Sequence, residues 1–172
     1  MNNFEYRLAT PEDLELIWAK NIADNPGDDR WSAWKLETID DNNSGRVAIF
    51  VAVCDGVPVG EGTLIFSPDC SAIGGRTILA NGGDIANVNA LRMAKEHEGK
   101  GHMSRLLKVM EAYAKEKGVR VLTIGVEARE SRNVAIYLHL GYDRFRHFEV
   151  EGDAVPPTPG SEELVLYYDK EL

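Results

Sequence analysis

Two glycines, Gly99 and Gly101, stand in a polar turn that is entered from an apolar segment and left through a helical pattern. The stretch reads Glu96-His97-Glu98-Gly99-Lys100-Gly101-His102-Met103-Ser104-Arg105-Leu106-Leu107. Glycine lets the backbone take conformations closed to other residues and approach a ligand closely, and the first amides of the following helix lack partners. With the positive end of the helix dipole added, such a turn suits a pyrophosphate. The same residues also make an ordinary strand-to-helix loop with helix-breaking glycines. Other chemistries fit less well. His97 and His102 flank the turn, but their spacing through two glycines matches no regular two-histidine ligand pattern, so no metal is expected. A dinucleotide fingerprint needs a glycine where Ser104 stands and an acidic residue near Val121, where the chain is apolar.

The bulk composition bounds the rest. The chain has 172 residues, 44% of them hydrophobic and 27% charged, which suits one soluble globular domain spanning 1–172. A net charge of -9 repels nucleic-acid backbones and anionic membrane surfaces, so neither is an expected partner, and it weakly favours a cationic or neutral one. The longest apolar run, Val47 to Cys54, is too short to cross a bilayer, and the N-terminus lacks the pattern of a signal peptide; a cytoplasmic location is expected. Cys54 and Cys70 offer no disulfide framework and read as free thiols.

The elements that position the turn follow from periodicity. Phe4, Tyr6 and Leu8 alternate as in a half-buried strand, and Thr10-Pro11-Glu12-Asp13 opens a helix with apolar Leu14, Ile17, Trp18 and Ile22. A second helix is expected over Trp31 to Ile39. Arg46 to Cys54, Asp55-Gly56 and Val57 to Phe66 form a hairpin, with Gly60 and Gly62 marking a bulge or a close approach by a ligand or another backbone. Ser67 to Asp84 is long for a structureless loop, so a brief strand or a mobile functional flap is expected there. Then come a strand at Ile85 to Met93, the glycine turn, a helix ending at Gly118 and a strand at Val119 to Val126. The chain closes with a helix at Ser131 to Leu140, a strand at Phe145 to Val150, a proline-bearing loop at Gly152 to Ser161 and a strand at Leu164 to Tyr168. Trp18, Trp31 and Trp34 either line a cleft in the first two helices or belong to the core.

This order, with three motifs, resembles the GNAT superfamily of acetyl-CoA-dependent N-acyltransferases over nearly the whole chain. The Asp55-Gly56-Val57-Pro58-Val59-Gly60 hairpin is similar to the family's second and third strands. Leu91-Arg92-Met93 through Gly99-Lys100-Gly101 to Leu107 is similar to its fourth strand and pyrophosphate loop, and Ala135-Ile136-Tyr137-Leu138-His139-Leu140-Gly141-Tyr142 to its last helix. The resemblance implies a single-domain α/β fold: a mixed, mostly antiparallel sheet, splayed between strands 4 and 5 and flanked by about four helices. The chain departs from the family's loop pattern, which has Arg or Gln, then Gly, then Gly or Ala, where this sequence has Glu98, Gly101 and Met103. The asparagine often found near the start of the last helix falls on Glu130, with Asn133 three residues later.

On that resemblance the chain is an N-acetyltransferase moving the acetyl group of acetyl-CoA to a primary amine by direct attack in a ternary complex. The resemblance implies that Leu91, Arg92 and Met93 hold the pantetheine arm as an added strand, with the Leu91 amide facing the thioester oxygen. Glu98, Gly99, Lys100, Gly101, His102, Met103 and Ser104 would surround the pyrophosphate, with Asn133 and Tyr137 completing the cofactor site. Tyr137 would be the general acid for the departing thiolate; Glu127, on the face of Gly125, and Asp84, opening the fourth strand, are the candidate bases, with deprotonation through water and no dedicated residue as the alternative. The acceptor is a small cationic amine or a protein amine, and a homodimer through the C-terminal strands is a further implication of the family. The rival reading is a non-catalytic acyl-CoA-binding or interaction module with the same fold.

Overall fold

In a computed structural model the described residues are 2–152 and 159–172. They form seven strands, β1 (Phe4–Leu8), β2 (Val47–Cys54), β3 (Val57–Ile65), β4 (Ile85–Met93), β5 (Val121–Glu127), β6 (Arg144–Glu151) and β7 (Glu163–Glu171). Four α-helices accompany them: α1 (Pro11–Asp24), α2 (Arg30–Asn43), α3 (His102–Glu116) and α4 (Ser131–His139). One sheet has the order β1-β2-β3-β4-β5-β7-β6, antiparallel throughout except for the parallel pair β4 and β5. No helix among the described residues is long and apolar enough to cross a membrane.

Every residue of β2 is buried, as a continuous apolar run requires when both faces of a sheet are covered. Its even positions, Ala48 and Phe50, pack with Leu106, Leu107 and Met110 of α3, whereas Val47 and Ile49 pack with Leu14 and Trp18 of α1. The hairpin turn is the one its dipeptide demands: Asp55 and Gly56 both have positive φ, 48° and 84°, which matches the twist of the strands they join. Helix α1 starts with a reciprocal cap in which the Thr10 side chain accepts from the Asp13 amide and the Asp13 carboxylate accepts from the Thr10 amide.

The segment between β3 and β4 corrects the expectation of a strand or a loose flap. It is a succession of turns that drives Cys70, Ile73, Leu79 and Ala80 into the core beside α1. Its apolar residues leave water under the sheet, and their irregular spacing is compatible with neither strand nor helix. Arg76, in the same segment, donates to the carbonyls of Ala72 and Ile73 and pairs with Glu149 and Glu151 of β6. Both cysteines are free and buried, and burial beside Asp41 pushes the Cys70 thiol up to about 11. Most of the expected proline-bearing loop, 153–158, lies outside the described residues.

Candidate active site

The site begins where two strands part. Strands β4 and β5 pair in parallel from Ile85↔Val121 to Val88↔Ile124, and from Asn89 to Met93 β4 has no β5 partner. A bulge accompanies the parting: Thr63 faces Asn89 and Glu61 faces Arg92, so Ala90 and Leu91 together stand opposite Gly62. Ala90 takes a positive φ of 49°, which costs a non-glycine residue about 1–2 kcal/mol. The surrounding sheet holds that strain and turns the β4 backbone outward. Gly62 has no room for a side chain because Met110 of α3 lies 2.7 Å from where its Cβ would be. The bulge expected here is present, but the close approach comes from a core methionine side chain and not from a ligand or another backbone.

A crevice opens in the parting, lined by Asn89, Leu91, Gly125, Glu127, Tyr137, Glu151 and Tyr167 among others. The ring of Tyr167 fills the space beside Gly125, at 2.7 Å from a Cβ placed there. Leu91 and Tyr137 border both this crevice and a neighbouring groove of about 420 Å³. The groove also carries Arg92, Met93, His97, Glu98, Gly99, Gly101, His102, Met103, Arg132, Asn133 and Ile136. At its end the glycine turn meets α3. Gly101 caps that helix with φ 79°, and Gly99 has φ 70°. The amides of residues 99 to 104 donate to no protein group among the described residues, the first intrahelical bond to the turn being from Arg105 to the Gly101 carbonyl. A row of free amides at a helix N-terminus fits a pyrophosphate.

The side chains around that row settle in particular ways. Glu98 turns away from Lys100 and meets Arg132 at 3.4 Å, at the start of α4. Lys100 donates to the Glu96 carbonyl at 2.7 Å. His102 is buried, stacked on Phe4 with ring centroids 3.9 Å apart, and its Nδ1 lies 2.7 Å from the Tyr6 hydroxyl. Burial, with the positive charges of Arg105 and Lys100, lowers its pKa. Met103 and Ser104 are half-buried, which leaves their amides as their contribution.

Tyr137 has no hydrogen-bond partner for its hydroxyl among the described residues, and burial raises its pKa. The candidate bases fare differently. Glu127 borders the crevice as expected, but its carboxylate accepts from Arg129 at 2.9 Å. Asp84 is corrected: it precedes the paired end of β4, where its carbonyl accepts from the Arg120 and Val121 amides, and it borders none of the cavities described here. The parting lies at the other end of the strand, so a residue that opens β4 cannot reach it. Tyr167, Glu151, Arg76 and Arg132 were not expected at the site. A signal for Tyr167 existed in Gly125, a bare position within an apolar strand, but naming the ring that uses the space requires the β5–β7 register.

On the far side of the crevice lies a cavity of about 810 Å³ between α1, α2 and the turns after β3. Trp18, Trp31 and Trp34 line it, together with Glu37, Asp41, Glu61 and Glu151, against Arg76 and Arg92. The tryptophans do both things expected of them: Trp18 is buried in the core, and all three present surface to the cavity. Arg92 lies over the Trp31 ring at 5.2 Å and donates to Glu61 at 2.9 Å. No three His, Cys, Asp or Glu side chains are grouped to hold a metal among the described residues.

A parallel pair parting beside a bulge, with a helix N-terminus at its mouth, is the arrangement that the resemblance to N-acyltransferases implies. The chain belongs to the acetyltransferase (GNAT) family, whose pattern it matches over residues 12–142. It is therefore an acyltransferase enzyme, and its acyl donor is acetyl-CoA. No curated protein matches the sequence. Among solved structures it is similar to an N-acetyltransferase from Staphylococcus aureus Mu50, with 19% identity, TM-score 0.69 and 98% of each chain covered. It is also similar to the ribosomal-protein-alanine N-acetyltransferase from Brucella melitensis, with 21% identity, TM-score 0.65 and coverage of 98% and 99%. A third is the PaiA N-acetyltransferase from Thermoplasma acidophilum in complex with coenzyme A, with 20% identity, TM-score 0.60 and 99% of each chain covered. At these identities the likeness is one of fold.

Proposed function

We propose that the enzyme acetylates a small primary amine that is cationic in solution. The observation that carries this is the continuity of three spaces: Leu91 and Tyr137 border both groove and crevice, while Asn89, Ala90, Ala72 and Glu151 border both crevice and acceptor cavity. The bound donor supplies an activated acetyl thioester. The free β4 edge from Asn89 to Met93 supports its pantetheine arm by strand-like hydrogen bonds, and the amides from Gly99 to Ser104, with Lys100 nearby, hold the pyrophosphate. Asn133 and Tyr137 of α4 close the groove from the other side.

Tyr137 donates the proton that the departing sulfur requires. Its unpartnered hydroxyl, at the junction of groove and crevice, supports that role, and its raised pKa keeps it protonated at neutral pH. The acceptor class follows from the cavity. Four carboxylates face two guanidiniums there, and Glu37 has no ionic partner among the described residues. Tryptophan faces add attraction for a cation. The volume falls within the range of small-molecule sites, which favours a free amine over a protein chain. The reading places the enzyme in the cytoplasm, where its two thiols stay reduced. It also includes a homodimer through the C-terminal strands, supported by exposed Phe145, Phe148 and Val150 on edge strand β6.

The test is acetyl-CoA turnover over a panel of polyamine-like, aralkylamine and neutral-peptide acceptors, beside calorimetric titration of acetyl-CoA. Turnover with cationic amines is expected. Donor binding with no turnover on any amine would overturn the reading.

A further inference from the structure

An acceptor nitrogen must travel from the tryptophan-lined cavity into the crevice to meet the acetyl carbon, and four residues border both spaces: Ala72, Asn89, Ala90 and Glu151. Glu151 is the only one of the four with an acidic or basic side chain. Its Oε1 is already held, by Arg76 at 2.8 Å and by the Tyr167 hydroxyl. Its Oε2 accepts from no group among the described residues. One oxygen thus anchors the carboxylate while the other keeps its lone pairs for a ligand.

The surroundings leave that oxygen acidic in net charge. Arg76 comes from the turns after β3 and faces two carboxylates at once, Glu149 and Glu151. His147 on β6 is 3.3 Å from Glu149. On β7, Glu163 stands opposite Glu151 in the register and is paired with Arg129 at 2.7 Å, which also takes Glu127 at 2.9 Å. Arg129 is therefore engaged with the other two carboxylates, and the single guanidinium beside Glu151 is shared. A cation arriving at the junction finds a carboxylate whose one guanidinium partner is shared with Glu149.

We propose that Glu151 is the base of the reaction: Oε2 binds the acceptor ammonium and takes its first proton. The inference rests on the amine-acetylation reading above. The amine lone pair so released forms the nitrogen–carbon bond as the carbon–sulfur bond breaks. Tyr137 gives its proton to the sulfur and recovers one from the nitrogen of the new amide, and Glu151 releases its own to solvent. One ammonium and one acetyl thioester become one N-acetyl amide, one thiol and one proton. Tyr167 is a positioning residue, which holds Oε1 from the neighbouring strand β7.

Glu151→Gln keeps the shape and removes the basic oxygen. The expected result is a loss of about 10²-fold in kcat/KM for the acceptor at neutral pH, with acetyl-CoA affinity unchanged by calorimetry. The deficit should shrink as pH rises and more of the amine is already neutral. A merely structural role would lower the melting temperature and donor affinity and leave the pH profile alone. Wild-type rates and pH profile in the folded variant would overturn the assignment while leaving the amine-acetylation reading intact. Should the variant fail to fold, the wild-type enzyme answers with pH profiles for primary amines of graded basicity. If only pre-neutralised amine reacted, kcat/KM would rise about tenfold per pH unit up to each amine's own pKa, and a break that follows the amine pKa would overturn the proposal; a plateau reached well below the amine pKa, at the same pH for every amine, supports it. No turnover of any amine by the wild-type enzyme would overturn the underlying reading and this one with it.

Discussion

Glu98 and Arg132 form an ion pair at 3.4 Å that ties the glycine turn to the first turn of α4, the helix that carries Asn133 and Tyr137. The pair engages the Glu98 carboxylate with a neighbouring cation. It is also exposed, so it contributes little to stability, within about 1 kcal/mol. Glu98→Gln should free Arg132 for the phosphates and remove a repulsion. The expected outcome is a two- to tenfold tighter acetyl-CoA Kd by calorimetry with an unchanged melting temperature.

Gly101→Val should weaken acetyl-CoA binding at least tenfold. The left-handed φ of 79° is strained for any residue with a Cβ and more so for a β-branched one, so the turn must shift and its free amides lose their alignment. No atom lies within 4 Å of the new Cβ, so the fold itself should survive with a modest loss of stability. Calorimetry beside thermal melting separates the two effects, and wild-type affinity would show that the turn does not hold the phosphates.

Tyr137→Phe should lower kcat by about 10²-fold while acetyl-CoA affinity changes little. Burial raises the hydroxyl pKa above its usual 10.0. An acid with a raised pKa is lost only above that higher value, so the wild-type rate should show no fall below pH about 10. Stopped assays across the alkaline range check for that fall.

Charge in the acceptor cavity should appear as a salt effect. For a cationic amine kcat/KM should fall as ionic strength rises, because screening shortens the reach of Glu37, Glu61 and Glu151. Acceptors of equal size but without charge should show little change. Rate constants measured with both kinds of amine at low and high salt make the comparison.

Acid should weaken the N-terminal helix through Asp13. Burial disfavours its charge, but the Arg7 guanidinium at 2.5 Å and the Thr10 cap outweigh that and hold its pKa below 3.8. A carboxylate with a depressed native pKa contributes stability that is present above its unfolded pKa and lost as pH falls through the native one. Asp13→Asn should therefore cost about 1–2 kcal/mol at pH 7, and the gap to wild type should close below pH about 4. Urea melts at both pH values test it.

Short-range chemistry accounts for what the sequence determined alone. The Asp55-Gly56 turn, the doubly buried run of β2, the Thr10 cap, the apolar face of α3 and the glycine turn are each decided by residues a few positions apart, through φ preferences, periodicity and hydrogen bonds within one turn. The glycine turn and the helix it opens were legible for that reason. The surroundings of Glu151 were not. Where β4 and β5 stop pairing, at Val88 and Ile124, depends on a bulge set by β3, and so Asp84 ended at the wrong end of its strand. Arg76, Glu151 and Tyr167 meet across separations of 75 and 91 residues from Arg76, brought together by the order β5-β7-β6. No local preference in any of the three segments encodes that meeting; it exists only once strand register and the packing of the turns after β3 have placed three distant backbones around one carboxylate.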